Sequence, residues 1–252
     1  RIAIGDNLLT NPVVGDFMRL NKSFIVKRSI KARREKFSAL QLLSRYIRHS
    51  IADGHSVWIA QREGRAKNGI DITDTAVLKM LSLAGRSVKE VFSESLKELN
   101  PIPVSISYEF DPCDIFKARE LAAIEQGTTY QKSDNEDVTS IVTGLMGKKG
   151  RVRVSFGEPI AISLLESPEI LAAEIDRQIV NGYAVFPINY AAHKMLSQQG
   201  KCEALHSYDS DDIAQGTKEL HERSEGELAS VKTQLYSMYA QSVIRKESNN
   251  YE

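Results

Sequence analysis

The stretch Ser56-Val57-Trp58-Ile59-Ala60-Gln61-Arg62-Glu63-Gly64-Arg65-Ala66-Lys67 constrains this chain more than any other. Residues 56–60 are β-branched, aromatic or small. The run is too short and too apolar for an exposed helix, and it predicts a buried strand. It passes directly into Arg62, Glu63, Gly64, Arg65 and Lys67. A core strand that ends in clustered charge carries that charge to a sheet edge, where α/β proteins take up ligands. Three cations beside one carboxylate suit a phosphate, and a glycine lets backbone N–H groups approach it. A solvated loop after a strand is the competing reading, because charged loops are common on surfaces.

Around this segment, strand and helix patterns alternate. Asn11-Pro12 breaks the opening segment, a short helix follows over 14–20, and 23–27 is a second strand. Over 34–51, Phe37, Leu40, Leu43, Tyr46, Ile47 and Ile51 recur at three- and four-residue steps, with Arg33, Lys36, Arg45 and Arg48 between them. That pattern predicts an amphipathic helix with a basic polar side, stopped at Asp53-Gly54. A loop at 71–74 leads into helices over 75–83 and 87–99, closed by Asn100-Pro101. Residues 102–108 alternate as a strand, with Pro103 near its start or on an edge because proline cannot donate to the ladder. Helices over 113–124 and 134–146, a turn at 147–150 and a strand over 151–156 complete an α/β pattern. Beyond Pro159, helices are expected over 163–180, 190–197 and 217–245. In the last, Leu228, Val231, Leu235 and Met238 form a stripe that reads as a core seam or an oligomer contact.

At 42% hydrophobic and 26% charged, wholesale disorder is not expected of these 252 residues. No apolar run reaches the roughly 20 residues that cross a bilayer, so no transmembrane helix is expected. Cys113 and Cys202 have neither metal-ligand spacing nor a disulfide framework, so no metal is expected and a reducing compartment fits. The chain opens on Arg1 with no signal-peptide pattern, as if its N-terminus had been removed or its numbering began inside a longer product. A formal net charge of zero hides an asymmetry. Arg19, Lys22, Lys27, Arg28, Lys31, Arg33, Arg34 and Lys36 crowd the front around Glu35; Asp209, Asp211, Asp212, Glu219, Glu222, Glu225 and Glu227 gather late. A basic front calls for an anionic partner: nucleic acid, an anionic membrane or a small phosphate compound.

Three segments in order resemble sequence blocks of the glycerolipid O-acyltransferases, the glycerol-3-phosphate and 1-acylglycerol-3-phosphate acyltransferases. Ser23-Phe24-Ile25-Val26-Lys27-Arg28-Ser29 matches the apolar run ending in arginine, the second block. Arg62-Glu63-Gly64-Arg65-Ala66-Lys67 matches the third, Glu-Gly with small and basic residues. Ile102-Pro103-Val104-Ser105-Ile106-Ser107-Tyr108 matches the fourth, an apolar segment with a key proline. Ala3-Ile4-Gly5-Asp6-Asn7-Leu8 and the segment 150–160 also look like the family. The likeness covers about residues 1–160. It implies a central mixed sheet flanked by helices, as an acyltransferase-like core over 1–162, and leaves the C-terminal third without a counterpart; the helical patterns there make 163–252 a helical C-terminal region. The third block departs from the commoner Glu-Gly-Thr-Arg-Ser, since Arg65 follows Gly64 directly. The first block, His-x-x-x-x-Asp, should precede the second, yet 1–24 holds no histidine. The resemblance therefore implies no catalytic residue in this chain and puts the catalytic His and Asp upstream of Arg1.

What the resemblance implies is fatty acyl transfer from acyl-coenzyme A or acyl-acyl carrier protein to a hydroxyl of glycerol-3-phosphate or its 1-acyl derivative. The acyl thioester is a co-substrate and no cofactor is needed. The upstream histidine would take a proton from the hydroxyl, whose oxygen attacks the thioester carbonyl. Arg28 would hold the acceptor phosphate with Arg65 or Lys67. Gly64 would permit close backbone approach, Pro103 would shape the pocket wall, and Glu63 would orient the cations or accept an acceptor hydroxyl. A salt bridge from Glu63 to Arg62 or Arg65 is the alternative. The protein would sit peripherally on the cytoplasmic face of the membrane. The basic helix over 33–51 would dock on anionic lipid there, or else pack on the sheet with a solvated basic side. Nucleic acid is not expected, because the basic run lacks interleaved stacking aromatics.

Other candidates carry less. His206 to Asp211 spells His-x-x-x-x-Asp in a polar segment and reads as a chance match. His49 and Asp53 end the basic helix, where a histidine is favoured electrostatically. Cys113 has no neighbouring histidine and is no nucleophile. Two further functions stand beside the enzyme: a phospholipid-phosphate binder of the same family that lost its His/Asp dyad, and an interaction module using the 217–245 helix.

Overall fold

The computed structural model describes residues 1–6, 12–64, 66–86, 88–128, 130, 136–197 and 208–249. The elements run β1 (Ile2–Gly5), α1 (Pro12–Leu20), β2 (Ser23–Val26), α2 (Arg33–Ala52), α3 (Thr75–Leu81), α4 (Leu83–Arg86), α5 (Phe92–Leu99) and β3 (Val104–Tyr108). Then come α6 (Asp114–Glu125), α7 (Glu136–Met146), β4 (Val152–Phe156), a 3-10 turn (Ile162–Leu164), α8 (Pro168–Gly182), α9 (Pro187–Leu196), α10 (Ser210–Arg223) and α11 (Ala229–Asn249). The chain forms two compact units built from interleaved segments: 1–64, 72–102 and 158–176 in the first, and 65–71, 103–157 and 177–252 in the second.

In the first unit β1 and β2 pair in parallel, from Ile2 opposite Ser23 to Gly5 opposite Val26. Parallel neighbours need a crossover, which the segment carrying α1 supplies. The chain at 56–58 runs along β1. Ala3 N–H donates to the Trp58 carbonyl at 2.9 Å and Trp58 N–H to the Arg1 carbonyl at 2.8 Å. The expected buried strand over 56–60 is not there: among the described residues one bridge, Ile2 to Trp58, forms, and Trp58 remains 45% exposed. Periodicity showed an apolar extended run correctly, but burial needs a layer laid over it, which a local pattern does not supply.

Helix α2 buries Leu43, Ser44, Ile47 and Ser50. The Ser44 hydroxyl donates to the Leu81 carbonyl at 2.8 Å and accepts from Ala84 N–H at 2.9 Å. Those bonds satisfy the backbone where the helix expected over 75–83 breaks at Ser82 into α3 and α4. Arg48 forks onto Glu90 with two 2.6 Å bonds, and these hold the Glu90 carboxyl below its usual range against a smaller opposing effect of burial. Residues 33–38, by contrast, are exposed throughout.

In the second unit β3 and β4 are antiparallel, from Val104 opposite Phe156 to Tyr108 opposite Val152. Ile106, Tyr108, Val152, Val154 and Phe156 share one face and are exposed. The other face carries Ser105, Ser107 and Ser155, small enough for Gly182 to lie against. A Cβ on Gly182 would stand 2.5 Å from the Ser105 hydroxyl. The core is helical: Ala118, Ala122, Ile188, Ala191, Ala192, Leu220, Leu235 and Ala240 pack among α6, α9, α10 and α11. Gly216 lets α10 press onto α9, since a Cβ there would reach 2.9 Å from the Ile188 nitrogen. The single helix expected over 217–245 is two, because the Ser224 hydroxyl folds back to the Leu220 carbonyl at 2.7 Å and Gly226 turns left-handed at φ 76°. Val231 and Leu235 of the stripe enter the core, whereas Leu228 precedes α11 and is 72% exposed.

The content is mixed α/β and dominated by helix. The central mixed sheet of the expectation is absent among the described residues, whose strands form two separate pairs, one in each unit. Pairing is a long-range choice that the alternation of elements leaves open. No helix among the described residues is long and apolar enough to cross a membrane.

Candidate functional site

Because β1 and β2 are parallel, both end at the same side, and their following residues meet there. Asp6 follows β1; Lys27, Arg28 and Ser29 follow β2. The Asp6 carboxylate accepts Arg28 N–H at 3.2 Å, Ser29 N–H at 3.2 Å and the Ser29 hydroxyl at 2.6 Å. That hydroxyl bond, the largest influence, holds the Asp6 carboxyl below its ordinary value despite a raising effect of burial.

The Arg28 guanidinium lies 4.0 Å from the Glu63 carboxylate, with side chains 37% and 71% exposed. The fold of the first unit thus brings the arginine of one block to the carboxylate of another. An exposed pair at that distance is weak and leaves the guanidinium able to take a better anion. Beside Glu63, Gly64 adopts φ 83°, and a Cβ there would meet nothing within 4 Å. Its backbone borders open space. Arg62 is half-buried, and Arg65 lies outside the described residues.

Lys67 and Pro103 belong to the second unit. Lys67 is paired with Glu120, both side chains being mostly buried. The charge of Lys67 is thus compensated by an acid 53 positions away. Pro103 is buried just ahead of β3, and its carbonyl accepts Gly157 N–H at 2.8 Å, which closes the end of the β3–β4 pair. Proline at the strand start loses no ladder donor there.

Asp6 was assigned no role from sequence. Its signal was an acid one residue past a strand whose neighbour ends in Arg-Ser, legible only once the two strands are known to pair. The minor candidates settle simply. His49 and Asp53 form an exposed surface pair at 3.3 Å. Cys113 is buried and its thiol donates to the Ser140 carbonyl. His206 and Cys202 lie outside the described residues, while Asp209 caps α10 by accepting Asp211 and Asp212 N–H. No cluster of metal-ligating side chains occurs among the described residues.

No family model matches the chain, and no solved structure matches it. Curated proteins do. Glycerol-3-phosphate acyltransferase of Pseudomonas aeruginosa is 24% identical over 219 residues, covering 78% of this chain and 25% of that protein. The enzyme of the same name from Pseudomonas syringae pv. tomato is 24% identical over 221 residues, covering 79% and 25%. That of Xanthomonas axonopodis pv. citri is 27% identical over 227 residues, covering 78% and 23%. The chain spans about a quarter of the length of these relatives. At this identity and coverage, the chain stands in a distant, glycerolipid acyltransferase-like relationship to proteins named glycerol-3-phosphate acyltransferase.

Proposed function

We propose that this chain belongs to an O-acyltransferase that moves a fatty acyl group from an acyl thioester to a hydroxyl of a phosphate-bearing glycerol in phospholipid synthesis. The observation that carries the reading is Arg28. Its backbone is fixed at the end of the β1–β2 pair, while among the described residues its guanidinium meets one acid, Glu63, in a long, exposed contact beside the open backbone of Gly64. A guanidinium fork suits a phosphate monoester, and holding that phosphate places the glycerol hydroxyl for attack on the thioester carbonyl. The proton is taken by the histidine of the first block, which the resemblance puts upstream of Arg1, and is returned to the thiolate that leaves as the C–S bond breaks. Glycerol-3-phosphate or its 1-acyl derivative is the acceptor, and acyl-coenzyme A or acyl carrier protein brings the acyl group.

The membrane enters through the front of the first unit. Among the described residues Lys27, Lys31, Arg33, Arg34 and Lys36 are exposed and have no ion pair, and Phe37 is 48% exposed beside them. The remainder of α2 is packed through Leu43 and Ile47, so its first two turns are the part free to meet anionic lipid.

The test is turnover of the intact protein with an acyl thioester and glycerol-3-phosphate or 1-acylglycerol-3-phosphate. Arg28→Ala should raise the acceptor KM about tenfold or more, the cost of a lost charged hydrogen bond, with little change in the thioester KM. An unchanged acceptor KM overturns the assignment of Arg28. Phosphate-acceptor binding without turnover marks the non-catalytic binder instead.

A further inference from the structure

Among the described residues, ladder pairing of β2 ends at Val26 opposite Gly5, and no described strand neighbour pairs with the backbone of the next residues. Lys27, Arg28 and Ser29 are exposed. One carboxylate fixes Arg28 and Ser29: Asp6 gathers their two consecutive N–H groups and the Ser29 hydroxyl, at 3.2, 3.2 and 2.6 Å. Consecutive N–H groups turned to one point form a small anion-binding concavity, and Asp6 fills it from within the fold. Two consequences follow for a phosphate at Arg28. The backbone amides are already engaged, so the guanidinium is the group left to grip it. The direction in which that guanidinium leaves the chain is set by the clasp.

We infer that Asp6 is a positioning residue for the acceptor phosphate, acting through Arg28 by fixing the backbone from which its side chain departs. This rests on the reading of Arg28 as the phosphate ligand. It also separates two physical effects of opposite sign. A carboxylate near a phosphate site repels the ligand, so a purely electrostatic Asp6 would weaken acceptor binding, and Asp6→Asn would lower the acceptor KM. A positioning Asp6 does the reverse: Asp6→Asn gives up charge-assisted bonds, lets the Arg28 backbone wander, and raises the acceptor KM.

The experiment is steady-state kinetics of the intact protein with Arg28→Ala, Asp6→Asn, Ser29→Ala and the Asp6→Asn/Arg28→Ala double variant. Asp6→Asn should raise the acceptor KM about tenfold while leaving kcat and the thioester KM within about twofold. Ser29→Ala keeps the charge and both backbone bonds, and should raise the acceptor KM less, in the same direction. Should Asp6→Asn fold poorly, Ser29→Ala carries the test alone. The double variant should match Arg28→Ala, because a residue that acts through Arg28 has nothing to do once the guanidinium is gone. If Arg28→Ala raises the acceptor KM but Asp6→Asn leaves it unchanged or lowers it, the positioning role is overturned and the phosphate reading survives. If Arg28→Ala leaves the KM unchanged, both fall together.

Discussion

Alanine at Gly64 tests the conformation of the turn and its openness in one comparison. Gly64 sits at φ 83°, where an L-residue costs about 1–2 kcal/mol through the contact of Cβ with the following carbonyl. Loss of glycine's freedom in the unfolded chain offsets about 0.4–1 kcal/mol of that. No clash is added, because the new methyl would meet nothing within 4 Å. The net cost is then about 1 kcal/mol, or about 2–4 °C in Tm for a chain of this size. Gly69 is the control. It has a similar φ of 77°, but a Cβ there would stand 2.6 Å from the Met238 carbonyl oxygen and 3.1 Å from the Gln241 Cβ. Gly69→Ala must therefore lose clearly more stability than Gly64→Ala by thermal or urea unfolding. Gly64→Asn should lose less than Gly64→Ala, since asparagine tolerates the left-handed region. Equal losses at 64 and 69, or a Gly64→Ala protein more stable than the original, would refute the reasoning. Acceptor kinetics add a second reading: if substrate approaches this backbone, Gly64→Asn recovers stability while its acceptor KM stays raised.

Leu235, fully buried among α6, α9 and α11, should cost about 2–5 kcal/mol as Leu235→Ala in urea unfolding, with no effect specific to the acceptor. Tyr239→Phe removes a hydroxyl that accepts Asp111 N–H at 3.0 Å and donates to the Asp114 carboxylate at 2.7 Å. It should cost about 1–3 kcal/mol by the same measurement. The Glu109 carboxyl is pushed up by burial but pulled further down by the hydrogen bonds and charge of Arg151, so its folded pKa lies below the unfolded one. Its stabilising contribution is therefore complete above the unfolded glutamate range and is lost as pH falls through the folded value. Glu109→Gln should be less stable than the original at neutral pH, with the two unfolding midpoints converging in acid; parallel pH profiles would contradict this.

Much of the order along the chain was legible because its causes are local. The three- and four-residue spacing of Leu43, Ile47 and their neighbours marked α2, and Asp53-Gly54 marked its stop, where Gly54 does take φ 81°. Pro103 stands at the start of β3, as a residue without a donor should. Reading 217–245 as one helix failed at Ser224 and Gly226, since apolar spacing on either side of a short turn can run nearly in phase. The strand at 56–60 failed for another reason: apolar composition reports a preference for burial, and only packing grants it.

At the candidate site the division falls between groups and partners. Sequence alone determined which groups are present, with Arg28 after an apolar strand and Glu63-Gly64 in a charged turn, because strand preference and glycine's backbone freedom act within a few residues. Tertiary structure decided what each charge faces. Glu63 comes to Arg28, Asp6 to the amides of Arg28 and Ser29, and Glu120 to Lys67, pairings that join residues between 22 and 53 positions apart. Coulomb attraction and hydrogen bonding depend on distance through space, and strand pairing and helix packing set that distance.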